Sequence, residues 1–220
     1  MRLDRRSLLG GMLALPMAPR ALAATGAALP TRALADGAIE VGNPKAAVKL
    51  TEWLSYTCPH CGHFTAEAEA SLKRMIASGK LLVTFRPAVR DVLDLSATLL
   101  ATGAGARFLP VHEAIFARQA DWMGKAASLD GAALEKLSIP ARLRRVADQV
   151  GLTAIATSAG LPTSSVPAAF AEARIALITK AAQAAWSVIR GTPTFEVDGR
   201  RVDGSDWASL RAALGAAGLS

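Results

Sequence analysis

Apolar residues recur at two different spacings along the chain, and these spacings divide it into blocks. Stretches rich in β-branched and apolar residues, bounded by turn-forming residues, predict short strands towards both ends of the chain. The predicted strands cover residues 47–54, 80–86, 195–197 and 200–202. Asp198-Gly199, between the last two, is typical of a two-residue hairpin turn. Residues 206–217 predict a final helix that is capped by Ser205.

The middle of the chain, from about residue 91 to residue 186, is helical in pattern. Ala-rich segments with apolar residues three or four positions apart alternate there with Pro and Gly. The predicted helices cover residues 91–107, 110–120, 130–138, 140–150, 152–160 and 166–186. These segments are similar in length but not in residue identity, which predicts one inserted helical subdomain instead of a repeat array.

The first 23 residues have the composition of an export signal. Arg5 and Arg6 precede an apolar stretch at residues 8–18, and Ala21-Leu22-Ala23 offers a small-residue cleavage site. A twin-arginine signal and an ordinary secretory signal both fit this segment. Residues 24–44 are rich in Ala, Gly and Pro, and we expect a loose leader there before a folded domain at residues 45–220. Export predicts a periplasmic location, where dithiols meet an oxidising environment.

Charge and composition give no support for nucleic-acid binding. The formal net charge is +7, but four of the 25 basic and one of the 18 acidic residues belong to the first 23 residues, which leaves +4. The basic residues are scattered and the 11 aromatic residues form no stripe for base stacking. Apolar residues make up 51% of the chain, enough for a core, and no apolar run reaches the length of a membrane span.

The two cysteines of the chain stand together in Cys58-Pro59-His60-Cys61. Such a pair can be half of a zinc site, a structural disulfide or a redox-active dithiol. Structural zinc needs four ligands, and neither a second cysteine pair nor a suitably spaced histidine pair is present. A disulfide that closes so short a loop gains little chain entropy, so a stabilising role is also a poor fit. Redox chemistry is the favoured interpretation, and it requires no metal or organic cofactor.

The surroundings of the pair agree with this interpretation. A strand precedes it, and from Cys58 onwards the apolar spacing becomes helical. Cys58 is therefore expected at a helix N-terminus, where free N–H groups and the helix dipole favour a thiolate, and Pro59 suits the first turn. Cys61 follows one turn later, where it can resolve a mixed disulfide. We expect Cys58 to be the exposed, acidic thiol and Cys61 the buried one.

Residues 52–64 resemble the active-site segment of DsbA-like thiol:disulfide oxidoreductases. Gly191-Thr192-Pro193-Thr194-Phe195 resembles the loop that carries a cis-proline opposite the dithiol in thioredoxin-fold proteins. The resemblance implies an α/β, thioredoxin-like fold with a large inserted helical subdomain. It also implies a cis bond before Pro193 and a Thr192 backbone that binds substrate peptide. Taken without the resemblance, Pro193 would simply end a helix or begin a strand.

Two further residues are candidates for the chemistry. His60 can lower the pKa of Cys58 by placing charge or a donor near the sulfur, although a solvated surface histidine is the alternative. Glu52 shares one face of its strand with Leu50 and Leu54, where a carboxylate is costly unless it has a partner or a role. We expect a buried acid that exchanges protons with Cys61, as the resemblance implies at this position. The alternative is that the strand ends early and leaves Glu52 in water.

The sequence therefore predicts a periplasmic thiol:disulfide oxidoreductase, most simply a monomeric oxidase of reduced or unfolded exported proteins. The mixed disulfide on Cys58 would be resolved by Cys61, and a DsbB-like membrane partner would recharge the enzyme. Thr192 points the other way, because an apolar residue is often found before the cis-proline in the strongest oxidants of the resembling family. A reductase or isomerase of the same fold, and a non-enzymatic helical binding module with a structural disulfide, remain open as alternatives.

Overall fold

A single mixed sheet lies at the centre of the computed structural model, which describes residues 29–219. Its strands are β1 (Thr31–Ala33), β2 (Ile39–Gly42), β3 (Val48–Leu54), β4 (Leu81–Pro87), β5 (Thr194–Val197) and β6 (Arg200–Arg201). They are ordered β1-β2-β4-β3-β5-β6. The β3–β4 pair is parallel, and the other neighbouring pairs are antiparallel. β3 therefore occupies a central position between β4 and β5.

Ten helices surround the sheet in the described part of the chain. They are α1 (Pro59–Ala77), α2 (Val92–Gly103), α3 (Phe108–Ala117), α4 (Gln119–Gly124), α5 (Gly131–Glu135), α6 (Ile139–Val150), α7 (Leu152–Ser158), α8 (Val166–Ala169), α9 (Glu172–Val188) and α10 (Trp207–Ala216). Helices α2 to α9 all lie between β4 and β5 in the chain, which agrees with the predicted helical insertion. In residues 29–219 no single helix could span a bilayer; the pair Val92–Gly103 and Gly105–Ala117 passes on length and composition but bends by 114°.

Alternate residues of β3 face opposite sides of the sheet and meet different helices. Glu52 faces α1, and its side chain borders a cavity that is also lined by Phe64 and Leu72. Trp53 points the other way and packs in a small cluster with Ala185 of α9. The two faces of the strand are therefore covered by α1 on one side and α9 on the other, which explains why the end of β3 is buried throughout.

The local predictions near the dithiol agree with the structure. Both predicted long strands are present as β3 and β4, and the hairpin of β5 and β6 turns at Asp198-Gly199. Both turn residues have positive φ, 49° and 76°, as a type I′ turn requires. Phe195 of β5 packs its ring 4.5 Å from that of Phe64 in α1, which joins the hairpin to the helix that begins at the dithiol.

Two predictions about the ends of the folded domain are wrong. The expected loose leader contains β1 and β2, and Ile39 and Val41 are buried because β2 pairs with β4. The strands are too short for periodicity to reveal them. The last helix is capped by Asp206, whose carboxylate accepts a hydrogen bond from the Ser209 N–H, and not by Ser205.

The long predicted helices are also interrupted in the structure. The segment at 91–107 breaks at Ala104, after which Gly105 has a φ of 57° and a short 3-10 turn follows. The segment at 166–186 divides into α8 and α9 at Phe170 and Ala171. The predicted signal peptide at residues 1–23 lies outside the described residues.

Candidate active site

The dithiol lies where β3 leads into α1. Cys58 is the N-cap of α1, with an extended backbone at φ −87° and ψ 117°, and Pro59 occupies the first turn. This conformation leaves the N–H groups at the start of the helix pointing towards the Cys58 sulfur. The backbone N–H groups of Cys61 and His60 act on that sulfur and lower its pKa. Both cysteines are free thiols.

The surroundings of Cys58 favour its thiolate strongly. A hydrogen bond from the Cys61 thiol is the largest contribution that lowers the pKa of Cys58, and burial opposes it. Hydrogen bonding by the Thr192 side chain and by the two backbone N–H groups lowers it further, and the pKa falls from 9.0 to about 4. Cys58 is only 4% exposed, so the expectation of an exposed thiol is wrong, whereas its acidity agrees with the prediction.

Cys61 has the opposite environment. It is fully buried, and burial is the main reason that the pKa of its thiol is raised well above 9.0. The neighbouring Cys58 raises it further, and so does the charge of Glu52. The two sulfurs therefore have widely different pKa values. Cys58 can act as a nucleophile or leaving group, whereas the Cys61 thiol holds its proton.

Glu52 is buried beneath the dithiol, as the strand periodicity predicts. Its residue is 1% exposed, and burial alone raises the pKa of its carboxyl from 4.5 to about 8. The alternative of a wetted strand end is therefore wrong. At neutral pH the carboxyl keeps its proton, and its electrostatic effect on Cys61 shows that the two groups are close enough to influence each other.

The predicted cis-proline loop meets the dithiol. The Thr192–Pro193 bond is cis, and the carbonyl oxygen of Thr192 accepts a hydrogen bond from the Cys58 thiol over 3.1 Å. This contact holds the thiol form and so acts against the donors that favour the thiolate. Pro59 and His60 are exposed beside the site. The His60 contribution in the structure comes from its backbone N–H, and the predicted role of its imidazole stays a prediction.

Comparison with known proteins assigns the family. Residues 35–216 match the family model described as Thioredoxin. The chain belongs to the thioredoxin family. A crystal structure described as a protein-disulfide isomerase from Novosphingobium aromaticivorans is 33% identical, with a TM-score of 0.73 over 83% of this chain and 98% of that one. Alpha-DsbA1 of Wolbachia pipientis is 20% identical, with a TM-score of 0.60 over 81% and 87% of the two chains, and supports the fold.

Curated relatives align over a smaller region. A protein of Rickettsia prowazekii named as a protein-disulfide oxidoreductase is 31% identical over 90 residues, which are 40% of this chain and 33% of that protein. The alignment thus spans about a third of the relative's length. Together these similarities confirm the predicted DsbA-like thioredoxin fold with its helical insertion. At the level of the family, they also confirm the predicted class of thiol:disulfide oxidoreductases. They do not assign the direction of the reaction.

The helical insertion of this chain contributes site residues that the sequence did not predict. Gln119, at the start of α4, donates from its amide to the carbonyl oxygens of Tyr56 and Cys58 over 2.7 and 2.9 Å. Asp94 of α2 is fully buried and accepts hydrogen bonds from the Ser55 hydroxyl, 2.6 Å, and the Tyr56 N–H, 2.8 Å. These bonds fix the loop that carries the dithiol.

A buried Tyr56–His112 pair lies under the same loop. The Tyr56 hydroxyl is 2.9 Å from Nδ1 of His112, and burial lowers the pKa of His112 to about 3. His112 is therefore neutral, and Nδ1 accepts the hydrogen bond because burial holds the Tyr56 pKa well above 10. No sequence signal marked its neighbour Tyr56.

Proposed function

We propose that this protein is a periplasmic dithiol oxidase that introduces disulfides into exported proteins through Cys58 and Cys61. The observation that carries the proposal is the lowered pKa of Cys58, about 4, beside a Cys61 thiol whose pKa is raised. A thiolate that is stabilised in the reduced enzyme makes the dithiol favourable relative to the disulfide. Such a disulfide passes readily to a client protein.

The reaction follows from the environment of each sulfur. A client thiolate attacks Cys58 of the Cys58–Cys61 disulfide, the S–S bond breaks, and Cys61 leaves with the electron pair. The Cys61 sulfur takes up a proton, which Glu52 can donate because its buried carboxyl is protonated at neutral pH. A second client thiolate then attacks the client sulfur of the mixed disulfide. The client disulfide forms, and Cys58 leaves as the stabilised thiolate.

This electron balance changes the expected role of Cys61. Attack by Cys61 on the mixed disulfide would release the client as a thiol and restore the enzyme disulfide. Resolution by Cys61 therefore belongs to the reducing direction, and in the oxidising direction the client's second thiol resolves the intermediate. In that direction Cys61 is the leaving group of the first step.

The expected size of the effect can be derived from the pKa of Cys58. Thioredoxin has an attacking thiol with a pKa of about 7 and a potential of about −270 mV. At pH 7 a thiol with a pKa of about 4 stabilises the dithiol by about 4 kcal/mol more than thioredoxin's thiol does. This energy corresponds to about 80 mV for two electrons, and it is an upper limit because the contact with the Thr192 carbonyl favours the protonated thiol. We expect a potential of about −190 mV, or somewhat lower.

Equilibration of the purified protein with glutathione buffers at pH 7 tests the proposal. The oxidase reading predicts a potential well above that of thioredoxin, together with one client disulfide formed per enzyme disulfide consumed. Cys61→Ser serves as a matched variant, because it keeps Cys58 but cannot carry the enzyme disulfide. A potential near −270 mV would favour a reductase instead.

Two observations favour disulfide isomerisation as a second candidate. The Novosphingobium aromaticivorans structure, with which the chain shares 33% identity, is described as a protein-disulfide isomerase. Threonine at position 192 is the other observation, because the strongest oxidants of the resembling family often carry an apolar residue before the cis-proline. A scrambled client that regains activity with reduced enzyme and no added oxidant would support this function. Oxidation without any unscrambling would support the oxidase.

The proposal includes location and partners. Arg5, Arg6, the apolar stretch at residues 8–18 and Ala21-Leu22-Ala23 support export, and we expect the mature N-terminus after Ala23. N-terminal sequencing of the protein from a periplasmic extract checks this. We further propose a monomer that a DsbB-like membrane protein reoxidises, since each client disulfide leaves the enzyme reduced. Reduced, unfolded exported proteins are the proposed substrates.

A further inference from the structure

Two buried carboxyl groups that line one cavity each have an oxygen without a hydrogen-bond partner. Among the residues that the structure describes, the buried side-chain atoms without a partner are Glu52 Oε1, Glu113 Oε1 and Arg174 Nε. Glu52 and Glu113 belong to β3 and α3, and both line the same cavity between the sheet, α1 and α3. An unpartnered buried carboxylate oxygen is costly, so two in one cavity call for an explanation.

The cavity has room for water between the two carboxyls. The centre of a water-sized sphere can occupy about 20 Å³ of it, which exceeds the roughly 10–15 Å³ that one water requires. Its walls are mostly apolar, with Phe64, Leu72 and Leu109 among the lining residues. A water here would have the two unpartnered carboxyl oxygens as hydrogen-bond partners, whereas the apolar walls offer it none. It would therefore connect the two carboxyl groups.

The charged and titratable groups of the cavity are distributed over three elements. β3 contributes Glu52, α1 contributes Glu69 and Lys73, and α3 contributes His112 and Glu113. Lys73 donates to Glu113 Oε2 over 2.9 Å and to Glu69 Oε1 over 2.7 Å. Lys73 and Glu69 are each more than a third exposed, so the cavity leads from the buried acid to a wetted ion pair.

We propose that Glu52 exchanges its proton with solvent through this cavity, by way of a water held between Glu52 and Glu113. The inference rests on the proposed function, since the reaction uses the Glu52 proton. When Cys61 leaves the disulfide and takes that proton, Glu52 becomes a buried anion. Glu113 passes a proton inward through the water, and solvent at the Lys73 end restores it. No electron moves in this exchange, and one proton crosses the cavity per turnover.

The acidities along the route favour inward transfer. Burial raises the pKa of Glu113 to about 7, with the Lys73 hydrogen bond opposing it, and burial raises the pKa of Glu52 to about 8. The pKa of Cys61 is higher still. A proton therefore moves to a stronger base at each step from Glu113 to Glu52 to Cys61. Lys73 is a positioning residue that binds Oε2 of Glu113 and leaves Oε1 without a partner.

The test follows the Glu52 carboxyl directly. In the reduced full-length protein, time-resolved infrared absorption of the buried carboxyl after a pH jump measures how fast Glu52 exchanges its proton. Glu113→Gln removes the relay acid with little change of shape, and Leu109→Phe fills the cavity without changing charge. We expect at least a tenfold slower exchange in Glu113→Gln. The control, Glu67→Gln, lies on an exposed position of α1 and should exchange at the parent rate.

The outcomes separate this proposal from the oxidase proposal. Exchange in Glu113→Gln at the parent rate would overturn the route through the cavity, whatever the activity of the enzyme. Slow exchange in Glu113→Gln supports the route even if the wild type has the potential of a reductase. In an active oxidase, the single-turnover rate at pH 7 should also fall in Glu113→Gln, while the pH profile of Cys58 alkylation stays unchanged. Leu109→Phe, where it folds, should reproduce the slow exchange with every acid retained.

Discussion

Replacing Glu52 with glutamine should make the folded protein more stable at alkaline pH, with an effect that grows as pH rises. The pKa of this carboxyl is about 8 in the folded protein, against an ordinary value of 4.5. Above pH 4.5 the unfolded chain loses the Glu52 proton while the folded protein keeps it. A raised acid pKa therefore favours folding at low pH, and this contribution is lost progressively until pH reaches about 8.

The magnitude follows from the size of the shift. Each pKa unit corresponds to about 1.4 kcal/mol, so ionisation of Glu52 in the unfolded chain costs folding about 3 kcal/mol at pH 7 and about 5 kcal/mol above pH 8. Glutamine does not ionise and removes this term. Its buried amide carries a penalty of about 1–3 kcal/mol, but that penalty does not depend on pH. Between pH 5 and pH 8.5, the stability of Glu52→Gln relative to its parent should rise by about 4 kcal/mol.

Urea denaturation at several pH values measures this difference. Both proteins should carry Cys58→Ser and Cys61→Ser, so that neither thiol titration nor disulfide formation contributes. The matched control is Glu67→Gln on the exposed side of α1, whose stability should follow its parent at every pH. A stability difference for Glu52→Gln that stays constant from pH 5 to pH 8.5 would refute the assignment of Glu52 as a buried, neutral acid.

Three further predictions concern the thiols, the loop and the sheet. Iodoacetamide at pH 5 should modify Cys58 and leave Cys61 intact, because only Cys58 is a thiolate there, and a Cys61 adduct in peptide mass mapping would contradict this. Gln119→Leu should lower the free energy of unfolding in urea by about 1–3 kcal/mol, since two loop carbonyls lose their donor, and an unchanged midpoint would argue against the clamp. Gly42→Ala should destabilise the fold by about 3 kcal/mol or more, because φ is +120° and a Cβ would lie 2.6 Å from a backbone oxygen. Gly79→Ala, at φ +76° with its nearest neighbour 4.0 Å away, should cost only about 1 kcal/mol in the same assay.

The redox site was predictable because its signals are local. The change from strand to helix at Cys58 follows from the spacing of apolar residues, and the position of a sulfur at a helix N-terminus follows from that change. The burial of Glu52 also follows from the period of two in its strand. The cis-proline loop could be placed opposite the dithiol only through the resemblance, because Thr192 lies 134 positions after Cys58 and no spacing rule spans that distance.

The residues that hold the dithiol loop had no such signal. In the sequence, Asp94 lies in the first turn of one predicted helix and Gln119 near the end of another. Each reaches the loop only because its helix docks beneath it. β2 was missed for a related reason: four residues are too few to show a period, and its burial comes from pairing with β4.

The sequence by itself determined the reacting atoms, the direction each side chain takes from its own strand or helix, and the family to which they belong. The tertiary structure decided the acidities and the proton route. A pKa depends on the groups within a few ångströms and on the loss of water, and for Cys58, Glu52 and Glu113 those groups come from distant parts of the chain. The cavity between Glu52 and Glu113 exists only because α3 of the insertion packs beside α1.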